Sequence, residues 1–209
     1  MPNWCATTYR VYGDEKQRKK LYSIIEELDK LPEPRVQNGF GNLWLGCIID
    51  YLGGDWNEIA CRGDITSYYK TKDYIQIDME TAWRELHEFR HYVEKKLPGL
   101  KIYYIADEPG MCEYYTNDKD YSIFHTRYHL DFEDYDSEYF ESLEDLAKWM
   151  NGIEDHRFSN VEPTWESISA AFEQYQEKND DVYCQLIEYE YYDVEDDFED
   201  EEEEEEKND

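Results

Sequence analysis

The chain has 209 residues, a formal net charge of −31, 40% hydrophobic and 17% aromatic side chains, and 21 tyrosines. That apolar and aromatic content excludes a wholly disordered chain. The excess of carboxylates excludes ordinary binding to a phosphate backbone and attraction to anionic membranes. Residues 193–209 hold 13 acidic side chains against one lysine, −12, and the remaining 39 against 20 leave −19, so the body is acidic in its own right.

In chain order, Trp4 to Tyr12 reads as a strand closed by Gly13-Asp14. Asp14 with Gln17 makes a capping box for a helix whose stripe is Leu21, Ile24, Ile25, Leu28 and Leu31, stopped by Pro32. Glu33 to Asn42 reads as a loop, and Leu43 to Leu52 as a short helix or buried segment. Gly63 to Tyr69 and Tyr74 to Met79 read as two strands joined by the polar Lys70-Thr71-Lys72-Asp73. Thr81 is then expected to N-cap a helix with the stripe Trp83, Leu86, Phe89 or Arg90, Val93 and Leu97, ended by Pro98-Gly99. Leu100 to Asp107 alternates as a strand. Pro109-Gly110 has the residues of a type II turn, with glycine supplying a positive φ, and Met111 to Thr116 returns as the partner strand.

That order, β-α-β-β-α-β, predicts an α+β fold with a ferredoxin-like antiparallel core. Residues 121–131 alternate and are expected to extend the same sheet, so that 1–131 forms one domain. Phe132 to Ser142 reads as an acidic loop. A helix capped by Ser142 carries Leu143, Leu146, Ala147 and Met150, and another opened by Pro163-Thr164 carries Trp165, Ile168, Phe172 and Tyr175. Asp181 to Tyr192 reads as a strand. Residues 132–192 are thus expected to form a helix-helix-strand extension packed on the same sheet, and 193–209 a disordered acidic tail, because like charges repel and no apolar surface is left to bury.

MPNWC at residues 1–5, TAW at 81–83 and EPG at 108–110 resemble the YubB-like proteins with a ferredoxin-like domain, found on bacterial plasmids, phages and other mobile elements. The likeness covers most of residues 1–130. It implies a fold and a setting, an accessory protein of a mobile element, and no particular activity.

His87-Glu88-Phe89-Arg90-His91 spells HExxH on an expected helix, the pattern in which two histidines one turn apart hold zinc and the glutamate activates its water. No HxxGxxH extension follows, Arg90 would set a cation beside the metal, and the third ligand would have to be Glu108 at a turn or His129 in a combined site. The expected reading is therefore a polar helix flank, with His87 and His91 the metal candidates and no catalytic or cofactor site. His125 and His129, four apart on one expected strand, stand roughly 13 Å apart and cannot share a metal by themselves. The five cysteines, Cys5, Cys47, Cys61, Cys112 and Cys184, form no CxxC pair and read as small buried residues. No run reaches the ~18 apolar residues of a membrane span. A cytoplasmic protein without cofactors is expected.

Paired tyrosines on strands should leave one ring of each pair outward, and Tyr69, Tyr103, Tyr115 and Tyr191 are the candidates for a protein-binding face. The function expected is a non-enzymatic protein-binding module with an acidic, tyrosine-rich surface, a protein partner, and no direct contact with nucleic acid or membrane. The alternatives are a DNA mimic that occupies a basic host protein, and a zinc hydrolase using HEFRH.

Overall fold

The computed structural model describes residues 3–132, 138–153, 158, 160–179 and 184–193. The chain is α+β, and its contacts divide it into two compact units. Unit 1 comprises Met1–Asp118 with Tyr191–Asp209, and unit 2 comprises Lys119–Glu190.

Unit 1 is built on β1 (Trp4–Gly13), β2 (Gly63–Lys70), β3 (Ile75–Ala82), β4 (Leu100–Glu108) and β5 (Glu113–Thr116). The sheet runs β2-β3-β1-β4-β5, with β9 (Glu190–Tyr191) beyond β5, and β1 is antiparallel to both β3 and β4. Alternate residues are buried: Cys5, Thr7, Tyr9 and Val11 in β1, Ile75, Ile77, Met79 and Thr81 in β3, and Leu100, Ile102, Tyr104 and Ala106 in β4. They share one core with helices α1 (Glu15–Asp29), α2 (Leu45–Tyr51) and α3 (His87–Lys96). Helix α1 turns Leu21, Ile24, Ile25 and Leu28 inward at helical spacing, each worth about 1.5–3 kcal/mol once fully buried. Asp14 caps it, its carboxylate accepting from the Gln17 amide at 2.9 Å. Gly13 ends β1 at φ 102°, where a Cβ would lie 2.0 Å from the Gly99 carbonyl oxygen, so only glycine fits. The 43–52 segment resolves into the short buried helix α2.

Five expectations in unit 1 change, two of them small: Leu31 lies past the end of α1 and is exposed, and Cys112 is exposed. Thr81 does not cap a helix, because Thr81 and Ala82 finish β3 and α3 begins five residues after Ala82, at His87. Trp83 is therefore absent from the buried stripe, which keeps Leu86, Val93 and Leu97 and holds both Phe89 and Arg90, named as alternatives. The turn after β4 does not use glycine for a positive φ: Cys112 takes that conformation, at 58°. Gly110 allows a close approach instead, since a Cβ there would lie 2.6 Å from Asn3 Nδ2 and 2.9 Å from Glu108 Oε1 and would push those side chains aside.

Unit 2 has its own three-stranded sheet, in which β6 (Tyr128–Phe132) lies between β7 (Glu138–Phe140) and β8 (Cys184–Glu188), with helices α4 (Leu143–Gly152) and α5 (Trp165–Lys178). Leu130, Leu146, Met150, Ile168 and Phe172 form its core. Ser142 and Thr164 cap the two helices as expected, each accepting from an amide three residues on. Residues 121–131 do not extend the first sheet. Tyr121 and His125 both take positive φ, which breaks the alternation, and only Tyr128–Phe132 is a strand, paired in the second sheet. Part of the expected acidic loop is strand β7, with 133–137 outside the described residues. The expected strand 181–192 is two, β8 and β9, with 180–183 outside the described residues. Asp193, expected to open a disordered tail, is buried, and 194–209 lies outside the described residues.

Candidate functional site: an exposed tryptophan on a pinned turn

Asn3-Trp4-Cys5, TAW and EPG, far apart in sequence, come together at one end of unit 1. Trp4 pairs with Ala82 across β1 and β3, and the Trp83 amide donates to the Asn3 carbonyl at 3.0 Å. Thr81 Oγ1 reaches the carbonyl oxygens of Cys5 at 3.3 Å and Arg84 at 2.8 Å. Gly110 lies against Asn3, and the buried Glu108 carboxylate accepts from the Gly110 and Met111 amides at 3.1 and 2.7 Å, which shapes the turn that carries Met111.

The product is a groove of about 470 Å³. Its apolar lining is Ala60, Cys61, Ala82, Trp83, Leu86 and Met111, joined by the charged side chains of Arg62, Arg84, Glu88 and Glu113. Trp83 is 48% exposed and Met111 54% exposed. The Trp83 backbone sits at φ 76°, a conformation that costs a non-glycine residue about 1–3 kcal/mol.

What holds Trp83 there lies directly beneath it. Glu85, two residues on, is buried and anchors the turn from inside. Its carboxylate accepts the Tyr9 hydroxyl at 2.6 Å and Arg90 Nε at 3.1 Å, and its amide donates to the Tyr115 hydroxyl at 3.1 Å. Arg90 is 0% exposed, donates from Nη2 to Asp193 at 3.2 Å, and lies 5.2 Å from the centroid of the Tyr104 ring. Tyr104 in turn donates to the Tyr192 carbonyl at 2.6 Å. Burial pushes the Glu85 carboxyl up, against the pull of the Arg90 guanidinium and the Tyr9 hydroxyl. Burial also raises the phenols of Tyr9, Tyr104 and Tyr115 well above their usual range. The turn is thus locked by buried hydrogen bonds from Tyr9, Arg90 and Tyr115, and the groove is preorganised before any partner arrives. Burial holds the Cys61 thiol at about 11, so the groove offers a protonated sulfur and no thiolate nucleophile.

The four tyrosines named from the sequence are not gathered into one face. Tyr69 is 43% exposed in β2, its hydroxyl donating to Gln76. Tyr103 is half-buried with its ring edge-on to Tyr12. Tyr115 pairs with Ala106 on the helix-covered side, meets the rings of Tyr104 and Tyr192, and serves the Glu85 lock. Tyr191 is half-buried in β9. His87 opens α3, its Nε2 3.5 Å from Glu88, and its ring centroid is 6.3 Å from that of His91. Glu108 is spent on the 110–111 amides, and His129 is buried in unit 2, stacked 4.6 Å from Tyr139. Among the described residues no three His, Cys, Asp or Glu side chains are grouped to hold a metal ion, and no helix is long and apolar enough to cross a membrane.

Sequence reasoning assigned Trp83 to the core. The signal that could have found it was already visible: three strings read as belonging together have a reason to meet in space. No family model matches the chain, and no curated protein or solved structure matches it.

Proposed function

We propose that the chain is a non-enzymatic protein-binding module, an accessory factor of a mobile element with a ferredoxin-like core of the YubB-like kind. Its docking face is the Trp83–Met111 groove, and its partner is a basic protein that inserts an apolar side chain there. Support for the fold is the strand order β2-β3-β1-β4 with antiparallel neighbours and helices α1 and α3 in the connections. Support for the setting is the meeting of the three strings that carry the resemblance.

One observation carries the docking reading: a tryptophan in a strained backbone conformation, half in solvent, on a turn fixed from beneath by a buried ion-pair network. Tryptophan is among the side chains most enriched at the energetic centres of interfaces. The charge of −31 draws a basic partner in at long range, while the groove sets the register and the dissociation rate.

The test is capture by the full chain from a lysate of its native cells, compared with Trp83→Ala. The expected result is a basic protein retained by the wild type and weakened about 30-fold by loss of the indole, the effect of a hot-spot residue of about 2 kcal/mol. Retention that ignores Trp83→Ala but collapses with salt would instead assign contact to the carboxylates, as in a nucleic-acid mimic, and would remove the groove from the function.

A further inference from the structure

Near Gly13, the end of β1 opposite Trp4, two basic stretches of the chain face each other across a groove of about 400 Å³. Residues 16–20 (KQRKK) lie in α1, and residues 70–72 (KTK) end β2 and open its connection to β3. Glu15, Arg18, Lys19 and Tyr22 share one face of the helix and form one wall, and Lys70, Thr71 and Lys72 form the other. Both walls are pinned. Arg18 bridges them, donating from Nε to the Gly13 carbonyl and from Nη1 to the Lys72 carbonyl, both at 3.2 Å. Lys70 lies 4.2 Å from the centroid of the Tyr22 ring, which is itself edge-on to Tyr68. The connection is closed by Thr71, whose hydroxyl donates to the Tyr74 carbonyl at 3.1 Å and accepts from the Tyr74 amide at 3.0 Å. Carbonyls and a π face orient these cations without neutralising them, and among the described residues only Lys19 has a carboxylate partner here, Glu15 at 2.6 Å. The neighbouring Asp14 is spent on the Gln17 amide. Arg18, Lys19, Lys70 and Lys72 against Glu15 leave the lining at +3 in a chain of −31, and the docking face described above uses none of it.

We propose that this groove is a binding site for a small molecule held by its diphosphate group. One phosphate carries about −1.5 to −2 at neutral pH, so two adjacent ones match the charge of the lining, whereas a single one leaves a cation unmatched. The residue types suit that group. A guanidinium fork fits phosphate oxygens, and lysine ammoniums meet them as point charges. Arg18 spends two of its donors on carbonyls, which fixes its plane and leaves the others for an anion. The volume falls in the range of small-molecule sites, about 300–1,000 Å³. The size of the ligand follows from the rest of the chain. Inside a Debye length of about 8 Å at physiological ionic strength the lining cations dominate, and the more distant carboxylates are screened. A nucleic-acid strand or an acidic protein would extend beyond the groove over the acidic body and be repelled, and a compact diphosphate would not.

Titration of the full ¹⁵N-labelled chain with sodium pyrophosphate at about 0.1 M salt, read by calorimetry and by amide chemical shifts, tests this directly. The expected result is saturable binding with a Kd of about 1 mM or tighter, with the shifts concentrated at residues 15–22 and 70–75. Sulfate, a single anionic centre, should bind at least about tenfold more weakly, and so should pyrophosphate to the double variant Lys70→Gln/Lys72→Gln. Both lysines are exposed, so the variant keeps its fold, which its own spectrum verifies. A parallel titration with ADP separates the sources of the group: tighter binding than pyrophosphate assigns a nucleoside diphosphate, and equal or weaker binding assigns the diphosphate alone. Shifts spread equally to Lys95 and Lys96, sulfate bound as tightly as pyrophosphate, or an unchanged affinity in the double variant would overturn the proposal. So would a titration with no saturation by about 10 mM.

Discussion

Within eight residues the chain handles two large side chains in opposite ways. Trp83, an apolar ring that burial would reward, stands 48% exposed, and Arg90, a charge that burial penalises, is 0% exposed. The usual sorting by polarity is inverted, and the two inversions are linked. Arg90 is tolerated inside because Glu85, Asp193 and the Tyr104 ring surround it. Glu85, held by Arg90 and Tyr9, is what turns the backbone so that Trp83 cannot enter the core. An ion pair buried at this depth adds little net stability over an apolar replacement, since desolvation offsets most of its Coulomb gain. Its effect is on conformation: it specifies one arrangement of residues 83–86. The Nη1 of Arg90 has no hydrogen-bond partner among the described residues, which fits a network set by position more than by energy.

The largest effect should come from breaking the buried half of that contrast. Arg90→Met leaves Glu85 and Asp193 without their counter-charge and should cost about 3–5 kcal/mol, read as the shift in a urea unfolding curve. An unchanged midpoint would mean that the network holds neither the turn nor the root of the acidic run.

The exposed half is broken by Trp83→Gly, which removes the indole and relieves the positive φ. Stability should rise by up to about 1 kcal/mol while partner capture is lost, the pattern of a residue kept for binding at a cost to folding. A loss of stability as large as that of a core tryptophan would show instead that the indole packs.

Unit 2 provides the sharper, smaller comparison, a buried histidine stacked on an aromatic ring. His129 is buried and stacked on Tyr139, and burial lowers its pKa, with Asp131 opposing. A depressed folded pKa means that the unfolded chain binds the proton more tightly. This group's contribution is therefore complete above the unfolded value near ~6.5 and is lost as pH falls through the folded one. Protection factors of the β6 and β8 amides, which already divide out the intrinsic slowing of exchange with falling pH, should drop between pH 7.5 and 5.5, and His129→Phe, which keeps a stacked ring, should remove the drop. An identical profile in the variant would place the pH response elsewhere.

Much of unit 1 was legible from local pattern. The stripe of α1, its Asp14 cap, the alternation of β1, β3 and β4 and the breaks at Gly13 and Gly99 are set by residues near one another in sequence. The start of α3 was not legible, because Thr-Ala-Trp-Arg-Glu-Leu satisfies helical spacing perfectly well. Only the pairing of Thr81 and Ala82 with β1, and the capture of Glu85 by Tyr9, 76 positions away, make it strand and turn. Residues 121–131 failed for the same reason: alternation predicts an extended strand, but not the positive φ at Tyr121 and His125 or the choice of partner strand. The site followed suit, since the tyrosines were read one strand at a time while the groove needs three loops at once.

The sequence by itself determined the α+β class, the acidic surface and the inward stripes, since periodicity and charge act over a few residues and survive any arrangement of the rest. Tertiary structure alone decided that an arginine lies inside, that a tryptophan stands outside, and that Asp193 belongs to the body. Each of those outcomes depends on groups dozens of positions apart supplying the compensating charge or hydrogen bond, and no local pattern records where such partners will be.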